Sequence, residues 1–565
     1  MNFKNLPANW KVVRLGRVAD ILTQTIDPFE NPDEQFLLYS FEAYDNFKAP
    51  EIRLGGEIRS SKIILSNNCV LFARLNPRKE RVWKVKINKN YINITSTEFV
   101  PFTPKINLDL EYLYWVLKTI ILPRAQKNIS GTTRSRERVS KEFLANLPIP
   151  LPPLPEQKRI VEILSLAEEL INKQKSAIAL IDKILMAKFL DMFGDPATNP
   201  NGWEVRRLSE MAIRQKGAIK MGPFGSQIKK SEFVPTGIKV YGQENVIKND
   251  FSIGNRFITL QKFKKLKSCE IHPGDILLTM MGTIGHIAIF PENAQKGIMD
   301  SHLIRIKLNK ELVNPVYLRL LFKTSYLRHQ LETFGHGVVM KGLNATLVKN
   351  LKIPLPPIEL QQQFAQIVEE FEKKRKKLQN TLEILESLFK VLQKKAFTGE
   401  LTAEWRKEQK IDWVLPKITE RQAILLALLY YSHIVLKKPA MLTFAMKEAF
   451  LLQNEAGLTL GYKFIPYKYG PFSKEVYEDI EELEKNLLVE KVKPNRDIEK
   501  TEVTISEGFK DWVEKLIDKL SEKHKTLVQS YVKNYGTLSY NELINYVYSK
   551  YPEFIGKSRR KRRAK

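Results

Sequence analysis

Reading a base pair by direct contact takes side chains that offer two hydrogen-bonding groups at once: Arg or Lys for guanine, Asn or Gln for adenine. This chain of 565 residues gathers such side chains in short stretches between apolar runs. Arg74, Asn76, Arg78, Lys79 and Arg81 follow the run Cys69-Val-Leu-Phe72, and Thr132, Thr133, Arg134 and Arg136 stand in Ser130-Gly-Thr-Thr-Arg-Ser-Arg-Glu-Arg138. Further along come Ser226, Gln227, Lys229 and Lys230, then Gln243 and Asn245. Lys341 and Asn344 close the series, in and just after the loop Gly335-His-Gly-Val-Val-Met-Lys-Gly342. Any one of these serves as readily as a phosphate contact or a solvated charge. As loops they are candidate DNA-binding surfaces.

Other chemistries find little support. There is no GxxxxGK[ST] loop to cradle phosphates. Asn314-Pro-Val-Tyr317 is one residue short of an amino-methyltransferase Asn-Pro-Pro-Tyr, but no glycine-rich cofactor loop follows a strand upstream, and Asn-Pro is a helix start. His329 and His336 have no further metal ligands clustered near them, and Cys69 and Cys269, one in each half, form no CxxC. A correspondence between the two halves is one reading of them, and two buried structural thiols is the one preferred. Glycines 222, 225, 282 and 285 read as turn formers. No catalytic residue, metal or cofactor is expected on this chain.

A total of 91 Lys and Arg against 63 Asp and Glu gives a formal charge of +28, which favours a polyanionic partner, with nucleic acid ahead of an anionic membrane. The sequence has no eighteen-residue apolar run, and Met1-Asn-Phe-Lys4 has no apolar core like that of a signal peptide. The expectation is a cytoplasmic protein without a membrane partner, holding three or four domains.

The elements that must position these loops come as a duplicated unit. Asn146-Leu-Pro-Ile-Pro-Leu-Pro-Pro153 returns as Asn350-Leu-Lys-Ile-Pro-Leu-Pro-Pro357, and Trp10-Lys-Val-Val-Arg-Leu15 as Trp203-Glu-Val-Arg-Arg-Leu208. The offset is 193 residues at the front and 204 at the back, so the second globule is about eleven residues longer. A period this long marks a duplicated domain and helix rather than a solenoid. Ile63-Ile-Leu65 and Cys69-Val-Leu-Phe72 suit strands, and Leu110-Glu-Tyr-Leu-Tyr-Trp-Val-Leu117 suits a helix. The proline-rich stretch to Pro155 reads as an extended connector.

After each Pro-rich stretch comes a long seam. Ile160, Leu164, Ala167, Ile171, Ile178, Ile181 and Leu185 alternate steps of four and three, with Gln174 in a polar slot. Phe364, Val368, Phe371, Leu378, Leu382, Leu385, Phe389 and Leu392 repeat the pattern, with Arg375 as theirs. Each helix packs on its own globule or the two pair with each other. If they pair, connectivity makes them antiparallel and sets the globules at opposite ends of a rod. About 36 residues span roughly 54 Å, near one and a half turns of B-DNA.

At this point the chain resembles the specificity subunits of type I restriction-modification systems. Met221-Gly-Pro-Phe-Gly-Ser-Gln227 and Gly237-Ile-Lys-Val-Tyr-Gly-Gln-Glu-Asn-Val246 are similar to the opening of a target-recognition domain. Pro273-Gly-Asp-Ile-Leu-Leu-Thr279 with Gly282-Thr-Ile-Gly285 resembles its central strand and turn, and His302-Leu-Ile-Arg-Ile306, Pro315-Val-Tyr-Leu318 and Gly342-Leu-Asn344 complete the series. Globule one departs from it: Asn67-Asn-Cys-Val-Leu-Phe72 and Ala73-Arg-Leu-Asn-Pro77 replace the Gly-rich motifs, so a shared fold with a different binding surface is expected.

The resemblance implies duplicated α/β (α+β) target-recognition domains at 1–154 and 195–357, joined by two long antiparallel coiled-coil helices at 155–194 and 358–400. It implies a non-catalytic protein reading a bipartite, asymmetric site in double-stranded DNA. Two methyltransferase subunits would dock on the spacer helices, and restriction subunits would join them. S-adenosylmethionine, ATP and magnesium would belong to those partners. A fused methyltransferase or nuclease, or an antitoxin-like regulatory DNA-binding protein, are the rival readings.

Beyond Phe397-Thr-Gly-Glu-Leu401 the chain continues. Ile418-Thr-Glu-Arg-Gln422 opens an apolar helix with a Thr-x-x-Gln start suited to a capping box. Tyr467-Lys-Tyr-Gly-Pro-Phe-Ser473 resembles the Tyr-Gly-Pro signature of SocA-like (Panacea) antitoxin-associated domains, which implies a mainly helical module over 415–556 with a partner of its own, or an accessory docking domain. The basic end, 557–565, reads either as an aid to non-specific DNA binding or as a solvated tail.

Overall fold

The computed structural model describes residues 3, 5–129, 137–224, 227–280, 284–333, 344–409, 413, 415–436, 439–467, 470–493 and 501–555. The chain forms two compact units. One comprises Met1–Glu168 with Leu388–Lys565, the other Glu169–Ser387.

In the first unit, globule one holds two sheets. Ala19–Ile21, Phe99–Pro104, Cys69–Ala73 and Val82–Val85 lie side by side, all antiparallel. Cys69–Ala73 is buried along its whole length, as its unbroken apolar run requires of an interior strand. The second sheet runs Thr25–Ile26, Lys62–Ile64, Ile92–Ser96, Gln35–Tyr39, Glu51–Leu54, with Gln35–Tyr39 parallel to Ile92–Ser96.

Globule two, in the other unit, repeats this topology. Ile219–Met221, Leu303–Ile306, Ile276–Thr279 and Ile287–Ile289 make the antiparallel sheet. Phe257–Ile258, Ile238–Tyr241, Gly297–Met299 and Glu270–Ile271 make the other, again with one parallel pair, Ile238–Tyr241 on Gly297–Met299. Among the described residues globule one adds the edge strand Thr25–Ile26. The two free cysteines are both buried, but they do not correspond. Cys69 opens a strand of the first sheet, whereas Cys269 leads into Glu270–Ile271 of the second.

The Pro-rich stretches do more than connect. Pro148–Leu151 pairs antiparallel with Lys11–Arg14, and Lys352–Leu355 with Glu204–Arg207. The opening and closing motifs of each copy are thus the two strands of one ribbon, where proline is tolerated because each strand has a single neighbour. The long helices follow directly, Leu154–Phe193 and Ile358–Thr398.

One side chain locks each helix to its globule. Gln157 is buried, donating to Asn107 O and Pro152 O at 2.8 Å each and accepting from Asp109 N at 2.8 Å. Gln361 does the same with Leu312 O, Pro356 O and Asn314 N. Tyr112 and Tyr317 each donate to the ribbon, at Pro150 O and Pro354 O.

Both seam readings hold. In the second unit Ile181, Leu185, Phe189, Phe364 and Val368 share a core with globule two. There the helices also pair with each other, antiparallel: Gln174 donates to Leu378 O at 2.8 Å, and Lys175 meets Glu386 at 2.7 Å. In the first unit Ile160, Leu164, Ala396 and Phe397 join the core of globule one. Among described residues no helix is long and apolar enough to cross a membrane.

The C-terminal domain is mainly helical: Glu420–Leu436, Leu442–Asn454, Lys474–Lys485, Lys510–Ile517, Glu522–Tyr535 and Tyr540–Lys550, with a three-stranded sheet and a hairpin. Its first helix opens on the expected capping box, Thr419 N to Gln422 Oε1 at 2.9 Å and Gln422 N to Thr419 Oγ1 at 3.2 Å. This domain and globule one share one continuous core. A buried carboxylate ties the segment that follows the second long helix to globule one: Glu156 accepts from Trp10 Nε1, from Thr402 Oγ1 and from Nε and a terminal NH2 nitrogen of Arg406.

Candidate nucleic-acid interface

In globule one the loop after Cys69–Ala73 turns at Asn76, whose φ of 48° is a left-handed conformation that asparagine tolerates. Two backbone bonds and one from the Gln126 side chain then tie it to later parts of the chain. Asn76 N donates to Glu137 O at 2.7 Å, Val139 N to Arg74 O at 3.1 Å, and Gln126 Nε2 to Pro77 O at 3.2 Å. Residues 137–139, which follow the second candidate loop, are therefore held against the first. Thr132, Thr133, Arg134 and Arg136 lie outside the described residues, but the chain leaving them is held against the 74–79 loop.

Ion pairs brace this surface. Glu98 receives Arg138 at 2.7 Å and Arg74 at 3.5 Å, and Arg78 pairs with Glu137 at 2.8 Å. Arg78 and Lys79 remain exposed and can reach a phosphate or a base edge. Arg81 cannot, and this corrects the expectation. Its buried guanidinium binds both Asp45 oxygens, at 2.6 and 2.7 Å, and lies 4.6 Å over the Phe41 ring. The hydrogen bonds from Arg81 hold the Asp45 carboxyl below its usual range. Arg81 supports the loop from beneath.

In globule two the early loop leaves Ile219–Met221 at Gly222, where a Cβ would lie 1.7 Å from Asp300 O, so only glycine fits. Gln227 closes the turn, accepting from Phe224 N at 3.1 Å, and Lys229 N donates to Glu232 at 2.8 Å. That backbone bond and Lys262 keep the Glu232 carboxyl below its usual range. Gln227, Lys229 and Lys230 are exposed, as is the ring of Phe224, which composition did not single out. Ser226 and Lys341 lie outside the described residues.

Asn245 is a second correction. It is buried, its Oδ1 accepts from Gly242 N and its Nδ2 donates to Asp250 O and Ile253 O, so no group is left for a base. Gln243 next to it is half-buried and already engaged. Asn344 caps the helix Ala345–Lys349 through Leu347 N at 2.9 Å. A Cβ on Gly285 would lie 3.4 Å from Leu331 Cδ1, so Gly285 stands beside the helix Ser325–Thr333. The sequence carried no sign of Glu98 or Glu137 as braces, because a single carboxylate has no periodicity.

Asn314 is explained by its bonds. Its side chain accepts from Val316 N at 2.8 Å and caps Pro315–Leu321, as Asp109 caps Leu110–Val116 in globule one. A cap that recurs as aspartate in the other copy is a helix start. His336 lies outside the described residues, and among those described no group of three His, Cys, Asp or Glu is placed to hold a metal.

Comparison with known proteins bears on both parts of the chain. A profile for the type I restriction modification DNA specificity domain matches residues 7–180 and 200–387, and one for the antitoxin SocA-like, Panacea domain matches 446–552. The putative type I restriction enzyme MjaX specificity subunit of Methanocaldococcus jannaschii is 26% identical over 67% of this chain and 95% of its own length. The type I restriction enzyme EcoBI specificity subunit of Escherichia coli is 24% identical over 50% of this chain and 64% of its own. Among solved structures, the HsdS subunit from Thermoanaerobacter tengcongensis matches with 22% identity and a TM-score of 0.32, over 70% of this chain and 98% of that one. With two matched copies covering more than half of its length, the chain belongs to the family of type I restriction-modification DNA specificity domains and is a specificity subunit, not an enzyme.

Proposed function

We propose that this subunit recognises a bipartite, asymmetric target in double-stranded DNA, with each globule reading one half-site. The observation that carries this reading is that two globules of the same strand order bear unlike loops at equivalent places: Gln227, Lys229 and Lys230 follow Ile219–Met221 where Ala19–Ile21 runs on into the strand Thr25–Ile26, and Arg74-Leu-Asn-Pro-Arg-Lys79 follows Cys69–Ala73 where Met280-Met-Gly-Thr-Ile-Gly285 follows Ile276–Thr279. Equal scaffolds with unequal loops call for unequal half-sites.

The same reading has two methyltransferase subunits docked on the long helices, joined by restriction subunits, with S-adenosylmethionine, ATP and magnesium held by those partners. Leu180 and Ile184 on the first helix are 51% and 38% exposed, and their counterparts 204 residues on, Ile384 and Leu388, are 68% and 50% exposed. Two matching apolar patches of this kind suit two identical partners.

Reconstitution with the methyltransferase subunit and mapping of methylated adenines tests the proposal. The expected product is one adenine in each of two different short sequences at a set spacing. Methylation at a single continuous or palindromic site overturns it.

A further inference from the structure

The C-terminal domain meets globule one through side chains that globule two does not share. Lys11 Nζ pairs with Asp511 at 2.7 Å and donates to Gly508 O, while lying 5.0 Å from the Phe509 ring and 5.6 Å from that of Trp512. Arg17 donates to Val489 O at 2.9 Å and Ser506 Oγ at 2.7 Å, with Glu484 at 3.6 Å. Trp413 Nε1 donates to Asn9 O at 3.0 Å. The charge pattern is directional: basic on the globule, acidic and carbonyl-rich on the domain.

At the offset of 193, Lys11 and Arg17 become Glu204 and Glu210. Only 9% of the Lys11 side chain is exposed, against 63% for Glu204. A face that carries Glu204 and Glu210 would meet Asp511 and Glu484 with like charge, which costs rather than stabilises. One apolar position of the same ribbons is alike in both, with Val12 and Val205 44% and 45% exposed.

We infer that Lys11 and Arg17 form a charge-coded seat that places the C-terminal domain on globule one alone, so that whatever this domain binds is held beside the half-site that globule one reads. The seat is a property of the chain itself; its consequence for DNA rests on the function proposed above. An otherwise duplicated molecule thereby acquires a marked side, which the asymmetry of its target would translate into a fixed direction on DNA.

Two measurements on the full-length protein test this. Zero-length carbodiimide coupling followed by peptide mapping reads the seat directly, through a Lys11–Asp511 cross-link. Replacing Arg17→Glu should lower its yield about tenfold by removing charge-assisted bonds, whereas Arg17→Lys should retain most of it. An unchanged yield in Arg17→Glu, with circular dichroism reporting a folded protein, overturns the seat. The second measurement attaches an iron chelate to Lys533→Cys, on the exposed face of Glu522–Tyr535, and maps hydroxyl-radical cuts on DNA carrying the methylation site. Cuts flanking one half-site only are expected. Equal cutting at both overturns the directional claim. If DNA is not bound specifically at all, the proposed function fails while the cross-link still decides the seat.

Discussion

Arg375 of the second long helix donates to the carboxylate of Asp182 in the first at 2.8 Å, crossing between them at the one polar position of its own apolar seam. Gln174, the polar position of the first seam, reaches the other way to Leu378 O. A polar group at a seam position sets register and direction at some cost in stability. Arg375→Ala should therefore cost only ~0.2–1 kcal/mol, because Asp182 is half exposed. Leu185→Ala, fully buried in the same seam, should cost ~2–5 kcal/mol. Urea denaturation of the full chain distinguishes the two, and equal losses would mean that the seam is not the main contact.

Arg78 and Arg81 are three residues apart and should behave as opposites. Arg78→Ala, exposed, should weaken DNA binding and reduce the slope of log K against log salt by ~0.9 for a lost phosphate contact, with stability unchanged. Arg81→Ala should instead destabilise globule one by ~1–3 kcal/mol, because it orphans hydrogen bonds to Asp45. The Asp45 carboxyl is held low in the fold, so this contribution is present above the ordinary Asp value near ~3.9 and is lost as pH falls through the depressed one. Thermal melts between pH 7 and 3 should show the difference between wild type and Asp45→Asn shrinking toward the acid end.

Glu448 of the C-terminal domain should show the reverse dependence. It is fully buried, its Oε1 has no partner and its Oε2 meets only Ser432 Oγ at 3.4 Å among the described residues. Burial pushes its carboxyl up to about 8. A carboxyl that keeps its proton on folding favours the fold at acid pH, and the advantage declines as pH rises from its unfolded value toward 8. Glu448→Gln should gain stability over wild type at pH 8, on the order of 2–4 kcal/mol, and match it near pH 4. A constant difference across that range would refute the assignment.

Matching apolar patches should respond equally. Leu180→Lys and Ile384→Lys each place a charge on an exposed turn and should leave the melting temperature within a degree or two. Each should remove one of two bound methyltransferase subunits, as read by light scattering, and the double variant should remove both. Loss of neither subunit would place the docking surface elsewhere.

Much of this architecture was legible in the chain. The recurrence of Trp10-Lys-Val-Val and Ile149-Pro-Leu-Pro-Pro predicted two equivalent units, and seam spacing with Gln174 and Arg375 predicted paired helices, because a period is a property of one-dimensional sequence. The binding surface was legible only as loops. Arg74, Arg78, Arg81 and Asn245 are alike in type to base readers, yet Glu98, Glu137, Asp45 and three backbone groups already engage them to different degrees.

The order of strands, helices and turns was thus determined by residue type and spacing, since local propensity and burial act over short stretches. What the tertiary structure decided was pairing across long separations: the ribbon of residues 11–14 with 148–151, the convergence of loops 74–79 and 137–139, and the seat of a C-terminal domain on Lys11 and Arg17. Those pairings depend on which surfaces meet, and a carboxylate such as Glu98 or Asp511 looks the same in sequence whether or not an arginine or lysine is brought to it.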